Sequence, residues 1–329
     1  MTIETLAKTH PKPNFHSRHA FSPEIKRQIK ELHQLDNWHG ICQIAEDWTW
    51  IGVAIFLSLV AWHTLPNLIA GAVYFCAVVV IGARQRGLRV NNHWATHEAL
   101  AKNGKLNFVL ATIPAAWLVL ESFTGFDDSH NSRENGHHPN LGTAKDVDHM
   151  AVVQAGLYNS EVSGEDVKRY LWSIPLNTPK YLLFLLTNRI FNPREKRLER
   201  MIRLSYFGTI SALMIYMGWG TEFFLYWIVP LLTTANWIGL FIQLAEHYPL
   251  IVTAKPADIY LSRNRILPPH WNFLVSTHQE GYHLIHHLYP KLPMWNLRKA
   301  HQVLMEDPAY AAVHGQNSME SLMRSLTQV

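Results

Sequence analysis

The chain has 329 residues, of which 48% are hydrophobic and only 16% are charged, and it contains 12 tryptophans. This composition is low in charge for a soluble protein and favours a membrane protein, while a mean hydropathy of −0.05 fits a few spans with a large polar part better than a transporter. Two cysteines, Cys42 and Cys76, exclude a disulfide framework and a CxxC metal or redox pair. The net charge of +4, without basic residues interleaved with exposed aromatics, argues against nucleic-acid binding.

The N-terminal segment, residues 1–47, is polar and lacks the basic and apolar regions of a signal peptide. Within it, residues 24–35 have the spacing of a short amphipathic helix, which we expect to lie on a membrane surface.

The first long apolar region, residues 48–83, contains no Lys, Arg, Asp or Glu and is interrupted once by a turn signal at 63–67. Because a span needs roughly 20 apolar residues, this pattern predicts a helical hairpin that crosses the membrane twice. Arg84, Arg86 and Arg89 follow directly, so the positive-inside rule places this end of the hairpin, and the N-terminus, in the cytoplasm.

The second long apolar region, residues 206–245, carries one charge, Glu222, and is divided into a second hairpin by glycines around 218–221. Residues 106–126 are also apolar. We expect them to lie at the interface or under the catalytic part, because the histidines on both sides of them must reach the same compartment. A shorter apolar run at 181–191 has interfacial length.

These regions predict an all-α integral membrane fold with four spans in two hairpins and a cytoplasmic helical cap. The expected parts are an N-terminal cytoplasmic segment at 1–47, a membrane domain at 48–305 and a C-terminal tail at 306–329.

Twenty histidines are the most unusual feature of the composition, and many of them fall into three clusters. In the first, His93 and His97 are four residues apart, so both imidazoles lie on one face of a helix. The third is the strongest, because His283, His286 and His287 share one helical stripe and could serve one or two metals. The second runs from His130 to His137 and His138, where Gly136 weakens a helix and leaves a looped geometry open.

Imidazole-rich ligand sets suit iron, copper, zinc and nickel, whereas magnesium and calcium prefer oxygen ligands. A structural zinc takes four ligands and a catalytic zinc needs three, so eight or nine histidines indicate two metals with positions left open for oxygen. A lone histidine is more often a core or surface residue, and we assign that ordinary role to His10, His16, His19, His33, His39, His63, His149, His270, His301 and His314.

The order of these motifs resembles the membrane fatty-acid desaturase superfamily: HxxxH after a hairpin, a box ending in HH, a second hairpin, then HxxHH followed by proline. Residues 280–290 are similar to the GEGxHxxHHxFP box of its acyl-chain desaturases, and the resemblance covers roughly 45–305. It implies two iron ions (Fe²⁺), and an additional ligand near the end of the fourth span, where His247 stands. The implied ligands are His93, His97, His130, His137, His138, His247, His283, His286 and His287.

The second box departs from the family's usual HxxHH or HxxxHH, because Glu134 stands three residues before His137. Either His130 supplies the missing ligand through a longer loop, or Glu134 replaces it as a carboxylate. We prefer His130, because the other boxes are all imidazole and it follows an apolar segment directly. Asn131, Asn135 and Gly136 readily form the turn that such a loop needs.

Residues near the boxes could support the metal ligands by accepting their ring N–H groups. The candidate carboxylates are Glu98, Asp127, Asp128, Glu246 and Glu280. Asp146 and Asp148 could do the same, although a solvated loop is the slightly favoured interpretation. Gln243, one turn before His247, could hold a water at the second iron or make a helix–helix hydrogen bond.

The resemblance implies that iron and molecular oxygen remove hydrogen from an unactivated carbon of a fatty acyl chain to give a double bond. The apolar hairpins favour an acyl chain carried on a lipid, on coenzyme A or on a carrier protein. The chain has no haem-binding HPGG, iron–sulfur cysteines or GxGxxG, so an external ferredoxin or cytochrome b5 is implied as donor. The basic run 194–203 could dock it, but contact with anionic lipid is the favoured interpretation.

Two alternatives stay open at this point. The same scaffold could hydroxylate its substrate, or could act on a small metabolite, since similar members of this superfamily act on small polar compounds such as the precursor of the enol-ether amino acid rhizobitoxine. A histidine-lined metal transporter is the non-enzymatic alternative. It predicts ligands within the spans, whereas these clusters lie outside them.

Overall fold

The helical character of the chain is evident in the computed structural model, which describes residues 17–158, 162–253, 257–314 and 318–327. In these ranges there is no β-strand, only an isolated bridge between Ser17 and Ala257. The prediction of an all-α fold is confirmed. His10 and His16 lie outside the described residues.

The helices are numbered here in chain order, with short 3-10 and π-helical turns, such as Ala116–Val119 and Phe224–Ile228, between some of them. They are α1 Pro23–Glu31, α2 His39–Thr64, α3 Asn67–Thr96, α4 Gly104–Thr112, α5 Phe123–Asn131, α6 His137–Asn140, α7 Val147–Gln154, α8 Gly164–Leu185, α9 Arg197–Tyr216, α10 Gly220–Phe223, α11 Val229–Leu232, α12 Thr234–His247, α13 Leu250–Thr253, α14 Pro269–Val275, α15 His283–Leu288, α16 Leu297–Leu304, α17 Pro308–Val313 and α18 Met319–Thr327.

The first hairpin consists of α2 and α3, which are separated at Leu65 and Pro66 as the turn signal predicts. α3 has 30 residues, and at 1.5 Å per residue it extends to about 45 Å. The hydrocarbon core of a bilayer is roughly 30 Å thick. α3 is therefore longer than the apolar layer is thick, and His93 lies in its last turn.

The second apolar region also folds as two helical segments, with Gly218 (φ +80°) in the turn between them. Three helical segments are long and apolar enough to cross a membrane, 39–64, 67–96 and 220–247, and a fourth would be the bent pair formed by 104–119 and 123–131. α9 begins with a basic stretch and is not among them. The described helices thus support a membrane protein, while the division into four spans in two hairpins stays a prediction.

The helical cap packs the N-terminal and C-terminal parts of the chain together. Ile25 and Ile29 of α1 are buried in one apolar cluster with Trp94, Leu284 and Leu297. The expectation that α1 lies on a membrane surface is therefore wrong, because its apolar face is used inside the protein. This cluster joins the end of α3 to α15 and so holds the first and third histidine clusters against each other.

Candidate metal centre

A first group of five imidazoles combines residues from all three clusters. The candidate ligand nitrogens of this group lie within 4.8 Å of one another. His286 is central to it, because its Nε2 lies 2.9 Å from Nε2 of His93 and 3.0 Å from Nε2 of His138. The members are His93 in α3, His97 at its C-terminal end, His130 in α5, His138 in α6 and His286 in α15.

A second group of four imidazoles lies beside the first. Its candidate nitrogens also lie within 4.8 Å of one another, and its members are His137, His247, His283 and His287. Nε2 of His283 is 3.0 Å from Nε2 of His247 and 3.1 Å from Nε2 of His287. The rings of His138 and His287 are 4.4 Å apart between centroids, so the two groups are adjacent.

Sequence neighbours are divided between the two groups. His137 and His138 point into different groups, and so do His286 and His287. His283 and His287 are one helical turn apart and share the second group, whereas His286 faces the first. The third cluster therefore contributes to both possible metal positions rather than to one.

The protonation of three of these rings suits metal ligation. Burial, together with neighbouring imidazoles, keeps the pKa of His138, His286 and His287 well below the ordinary value, so their rings are neutral and offer lone pairs. Both ring nitrogens of His130 and the Nε2 atom of His97 are buried. None of these three atoms has a hydrogen-bond partner among the residues that the structure describes. Buried polar atoms are normally paired, so these nitrogens fit a role as ligands of an imidazole-binding metal.

Several of the other ring nitrogens are held by hydrogen bonds. Nδ1 of His247 lies 3.0 Å from the carbonyl oxygen of Leu261, to which it donates. Nδ1 of His283 is 3.4 Å from a carboxylate oxygen of Glu246, which Arg265 also contacts at 2.8 Å. With Nδ1 protonated, Nε2 keeps its lone pair and faces the group.

Asp146 makes the strongest of these contacts. This fully buried carboxylate accepts from Nδ1 of His137 at 3.0 Å, and it also caps α7. Burial opposes protonation of His137, but Asp146 raises its pKa to about 9. The interpretation of Asp146 as part of a solvated loop is wrong, and its position is that of an acceptor orienting His137.

The second cluster is looped, not helical. α5 ends at Asn131, a turn follows, and α6 begins at His137. Gly136 donates to the carbonyl oxygen of Ser132 at 2.8 Å, and a Cβ at Gly136 would lie 2.5 Å from backbone atoms of Ser132. Glu134 is exposed and, among the residues that the structure describes, belongs to neither group. The turn brings His130 rather than Glu134 toward the other imidazoles.

The remaining predicted supporting residues lie in different surroundings. Glu98 pairs with Lys291 at the surface, Asp128 pairs with Arg194, and Asp127 accepts from Asn131. Of the basic run, Arg203 is fully buried against Glu195, to which Arg200 also bonds. Much of that run therefore serves the fold and is not a free docking surface.

One histidine near the site was not singled out by its sequence pattern. His278 is buried, and its Nε2 lies 2.8 Å from Oδ2 of Asp47, which is fully buried in α2. His278 and Gln279 both have positive φ, at 53° and 60°. No other histidine lies three or four residues from His278, so its spacing predicts no role for it. This contact ties the loop before α15 to the first hairpin.

A cavity of about 110 Å³ lies directly beside both groups. Its wall includes His93 and His130 of the first group and His137, His247 and His283 of the second. The rest of the wall combines apolar side chains with charged and amide ones. The apolar ones are Phe126, Val152, Leu185, Ile242 and Ile251, and the charged and amide ones include Arg86, Arg89, Glu121, Asp148, Gln243, Glu246 and Glu280. Gln243 donates to the backbone carbonyl of Asp148 at 2.9 Å, which supports the helix-packing role predicted for it while it also lines the cavity.

Comparison with known proteins gives matches over most of the chain. The family model described as fatty acid desaturase matches residues 69–316. The chain is 35% identical over 312 residues to a dihydrorhizobitoxine desaturase of Bradyrhizobium elkanii, covering 89% of this chain and 82% of that protein. It is 24% identical to an endoplasmic-reticulum omega-3 fatty acid desaturase of Nicotiana tabacum, covering 77% of this chain and 67% of the relative, and 23% identical to a ferredoxin-dependent sn-1 acyl-lipid omega-3 desaturase of Nostoc sp., covering 66% and 63%.

Proposed function

The chain belongs to the fatty acid desaturase family and is an oxidoreductase, and we propose that it uses iron and molecular oxygen to desaturate a small polar metabolite. The observation that carries this proposal is the pair of adjacent imidazole groups beside a small cavity with charged groups on its wall. Membership of the family also sets aside the metal-transporter alternative.

The proposed ligands are the nine histidines of the two groups, with one iron in each. Iron bound there supplies the redox chemistry that activates oxygen. The protein's own part is to hold each imidazole in one tautomer and orientation: Asp146 does this for His137, and the Leu261 carbonyl does it for His247. Loss of such a partner typically weakens metal binding by about 10- to 100-fold.

The proposed reaction removes one hydrogen from each of two adjacent carbons. One O₂, two electrons and two protons are consumed, and the products are the alkene and two molecules of water. The electrons come from an external donor of the ferredoxin or cytochrome b5 type, as the name of the Nostoc relative illustrates for that protein.

The size and polarity of the cavity support a small substrate. A cavity of about 150 Å³ accommodates a molecule the size of benzene, and drug-sized ligands occupy roughly 300–1,000 Å³. The cavity here, about 110 Å³, is at the small end of this range, and charged groups stand on its wall. The Bradyrhizobium elkanii relative acts, by its name, on dihydrorhizobitoxine.

A fatty acyl substrate is the second candidate. The names of the Nicotiana and Nostoc relatives specify fatty acid and acyl-lipid desaturation, and the apolar helices next to the site give a lipid chain a route to it. This candidate requires the cavity to open along the apolar helices.

The decisive experiment incubates purified, iron-loaded protein in detergent with O₂ and a reduced ferredoxin system. Parallel reactions contain saturated ether amino acids, acyl-lipids or acyl-coenzyme A, and mass spectrometry detects loss of two hydrogens. We expect product from the polar substrates, abolished in His286→Ala and retained in His270→Ala, an exposed histidine away from the site. Product from acyl-lipids alone supports the second candidate, and no O₂-dependent product from any class refutes the proposal.

The centre is further proposed to face the cytoplasm, where such donors are found. The positive-inside rule applied to the arginines after the first hairpin does not support this orientation, because Arg84 and Arg86 form ion pairs within the protein. Protease or label accessibility of a tag at the C-terminus in sealed vesicles tests it directly.

A further inference from the structure

We propose that Glu121 binds a protonated amino group of the substrate, so that the substrate class is a small molecule with a primary amine. This inference rests on the proposed function, since it concerns the cavity beside the same imidazole groups. Among small polar molecules, Glu121 would select those that carry a positive charge.

Glu121 is a buried residue in the wall of that cavity. It is 8% exposed, and it lines the cavity together with His93 and His130 of the first imidazole group. It lies between the 3-10 turn Ala116–Val119 and α5, the helix that carries His130. A ligand that Glu121 holds in this cavity therefore lies beside the first imidazole group.

The contacts of Glu121 include no close cation. Its Oε2 accepts a hydrogen bond from Nδ2 of Asn92, a neutral amide, at 3.3 Å. Among the residues that the structure describes, Glu121 forms no ion pair and its Oε1 accepts no hydrogen bond. Glu280, in the same wall, is instead paired with Arg86. Burying a carboxylate without a charged partner is costly, and a cationic ligand in the cavity would supply that partner.

The backbone at this position is strained. Leu120, directly before Glu121, has φ +59° and ψ +20°, a left-handed conformation that glycine usually adopts at the end of a helix. Two contacts hold it: the guanidinium of buried Arg203 donates to the Leu120 carbonyl at 2.8 Å, and the Glu121 amide donates to the Ala116 carbonyl at 2.8 Å. Strain of this kind is found mainly at active sites and ligand clamps, which supports a binding role for the carboxylate that follows.

The hydrogen bond from Asn92 fixes the carboxylate relative to the imidazoles. Asn92 is fully buried and directly precedes His93 in α3. Glu121 is thus joined by one hydrogen bond to the residue next to a candidate metal ligand. A cation held at Glu121 therefore brings carbons only a few bonds away from it, and not those in the middle of a long chain, to the first imidazole group.

A protonated amine suits this position better than a metal ion does. An ammonium group has three N–H donors, and its hydrogen bonds to a carboxylate are charge-assisted and therefore strong. Magnesium and calcium need about six or more oxygen ligands, whereas Glu121 belongs to none of the groups with metal-ligand spacing in the described part of the chain. An acyl chain carries no cation near its reacting carbons, so nothing in it matches this carboxylate.

The test measures binding to the iron-loaded protein without reductant, so that no turnover occurs. The probes are O-ethyl-L-homoserine, a saturated ether amino acid, and 4-ethoxybutanoic acid, which is the same molecule without the amino group. Both carry the same carboxylate, so the arginines in the wall act on both probes alike. Equilibrium dialysis of the wild type should give at least about 30-fold tighter binding of the amine, as expected for an ion pair formed in a buried site.

Three variants assign this preference to Glu121. Glu121→Gln keeps the size of the side chain and an acceptor for Asn92, but it should lose the preference for the amine. Glu121→Asp, which keeps the charge on a shorter side chain, should retain part of it. The matched control, Glu222→Gln, should keep all of it, because Glu222 is exposed and lies at the end of segment 220–247 that is away from His247. Iron content and unfolding temperature are measured on the same samples.

Equal binding of the two probes by the wild type overturns the inference, and so does an unchanged preference in Glu121→Gln. Loss of iron in Glu121→Gln with an equal loss of affinity for both probes also overturns it, because Glu121 would then only support His93 through Asn92. If Glu121→Gln does not fold, the wild-type comparison and Glu121→Asp still decide.

Two outcomes separate this inference from the proposed function. Desaturation of acyl-lipids with no binding of O-ethyl-L-homoserine overturns the inference while the desaturase function stands. Amine-selective binding that depends on Glu121, but no O₂-dependent product from any substrate class, refutes the proposed function instead.

Discussion

Replacing Asp47 by Asn tests how the first hairpin positions the third histidine cluster. Asp47 Oδ2 lies 2.8 Å from Nε2 of His278 and 3.2 Å from Nδ2 of Asn91, and its other oxygen is 3.6 Å from a guanidinium nitrogen of Arg84. Both carboxylate and imidazole are almost completely buried, at 0% and 2% exposure. Asp47→Asn keeps the shape but removes the negative charge that faces these groups.

The expected loss of stability is large. Breaking a buried ion pair by removing one charge costs about 3–5 kcal/mol, and the buried guanidinium of Arg84 would lose the carboxylate of Asp47 here. For a chain of this size, 1 kcal/mol corresponds to roughly 2 °C in the unfolding temperature, so we expect a fall of about 6–10 °C. The loop before α15 holds His278 and Gln279 at positive φ, a conformation that costs of order 1–3 kcal/mol per residue and persists only where contacts enforce it. Its release should also weaken iron binding.

The matched control is Asp36→Asn. Asp36 also pairs with a histidine, His39, at 2.5 Å, but both side chains are about 30% exposed. An ion pair of this kind contributes about 1 kcal/mol or less, so the control should unfold within about 2 °C of the wild type. Thermal unfolding in detergent, with iron content measured on the same samples, compares the two variants. Equal shifts, or full iron content in Asp47→Asn, would refute the role given to the Asp47–His278 pair.

Three further predictions concern the imidazole groups, and they are tested by iron analysis, activity and unfolding temperature. His286→Ala should insert and fold but lose iron and activity together, since its ring is central to the first group; retained product formation would count against the assignment. His130→Ala should lose iron whereas Glu134→Gln should be mild, because His130 is buried among imidazoles and Glu134 is exposed; a full iron complement in His130→Ala would show that the choice is wrong. Gly136→Ala should reduce iron content by forcing a Cβ against the preceding turn, with Gly52→Ala, where nothing lies within 4 Å, as the control; equal iron in the two would contradict the need for glycine.

Much of the site could be predicted from sequence because its geometry is local. Histidines three and four residues apart on a helix must share a face. This spacing alone predicted that His93 lies beside His97, and that His283 lies beside His287. The positions of the apolar regions then indicated that the clusters lie near the ends of spans. All nine predicted histidines are found in the two groups.

The features that sequence reasoning missed depend on long-range packing. His278 meets Asp47 across 231 positions of the chain, and no local spacing reveals such a pair. Asp146 lies in a polar segment that reads as a loop, and only the fold shows that it is buried against His137. α1 has the pattern of a surface helix, but a partner helix covers its apolar face. An amphipathic pattern predicts that one face is covered, not what covers it.

The polar residues of α3 show how an apolar span can build a site. The segment is hydrophobic on average, yet it carries Arg84, Arg86, Arg89 and Asn91. Each of these side chains contacts a polar group of another helix or loop. Gly87 lets α2 approach so closely that a Cβ there would lie 2.5 Å from Asp47.

The polar side chains of α3 are tolerated in an apolar layer only when they are paired or face a polar cavity. One face of α3 therefore anchors the loop that carries the third cluster, and another lines the cavity with Arg89 and His93. Because one rigid helix carries both faces, the cavity and the loop before the third cluster are held in place relative to each other by the helix itself.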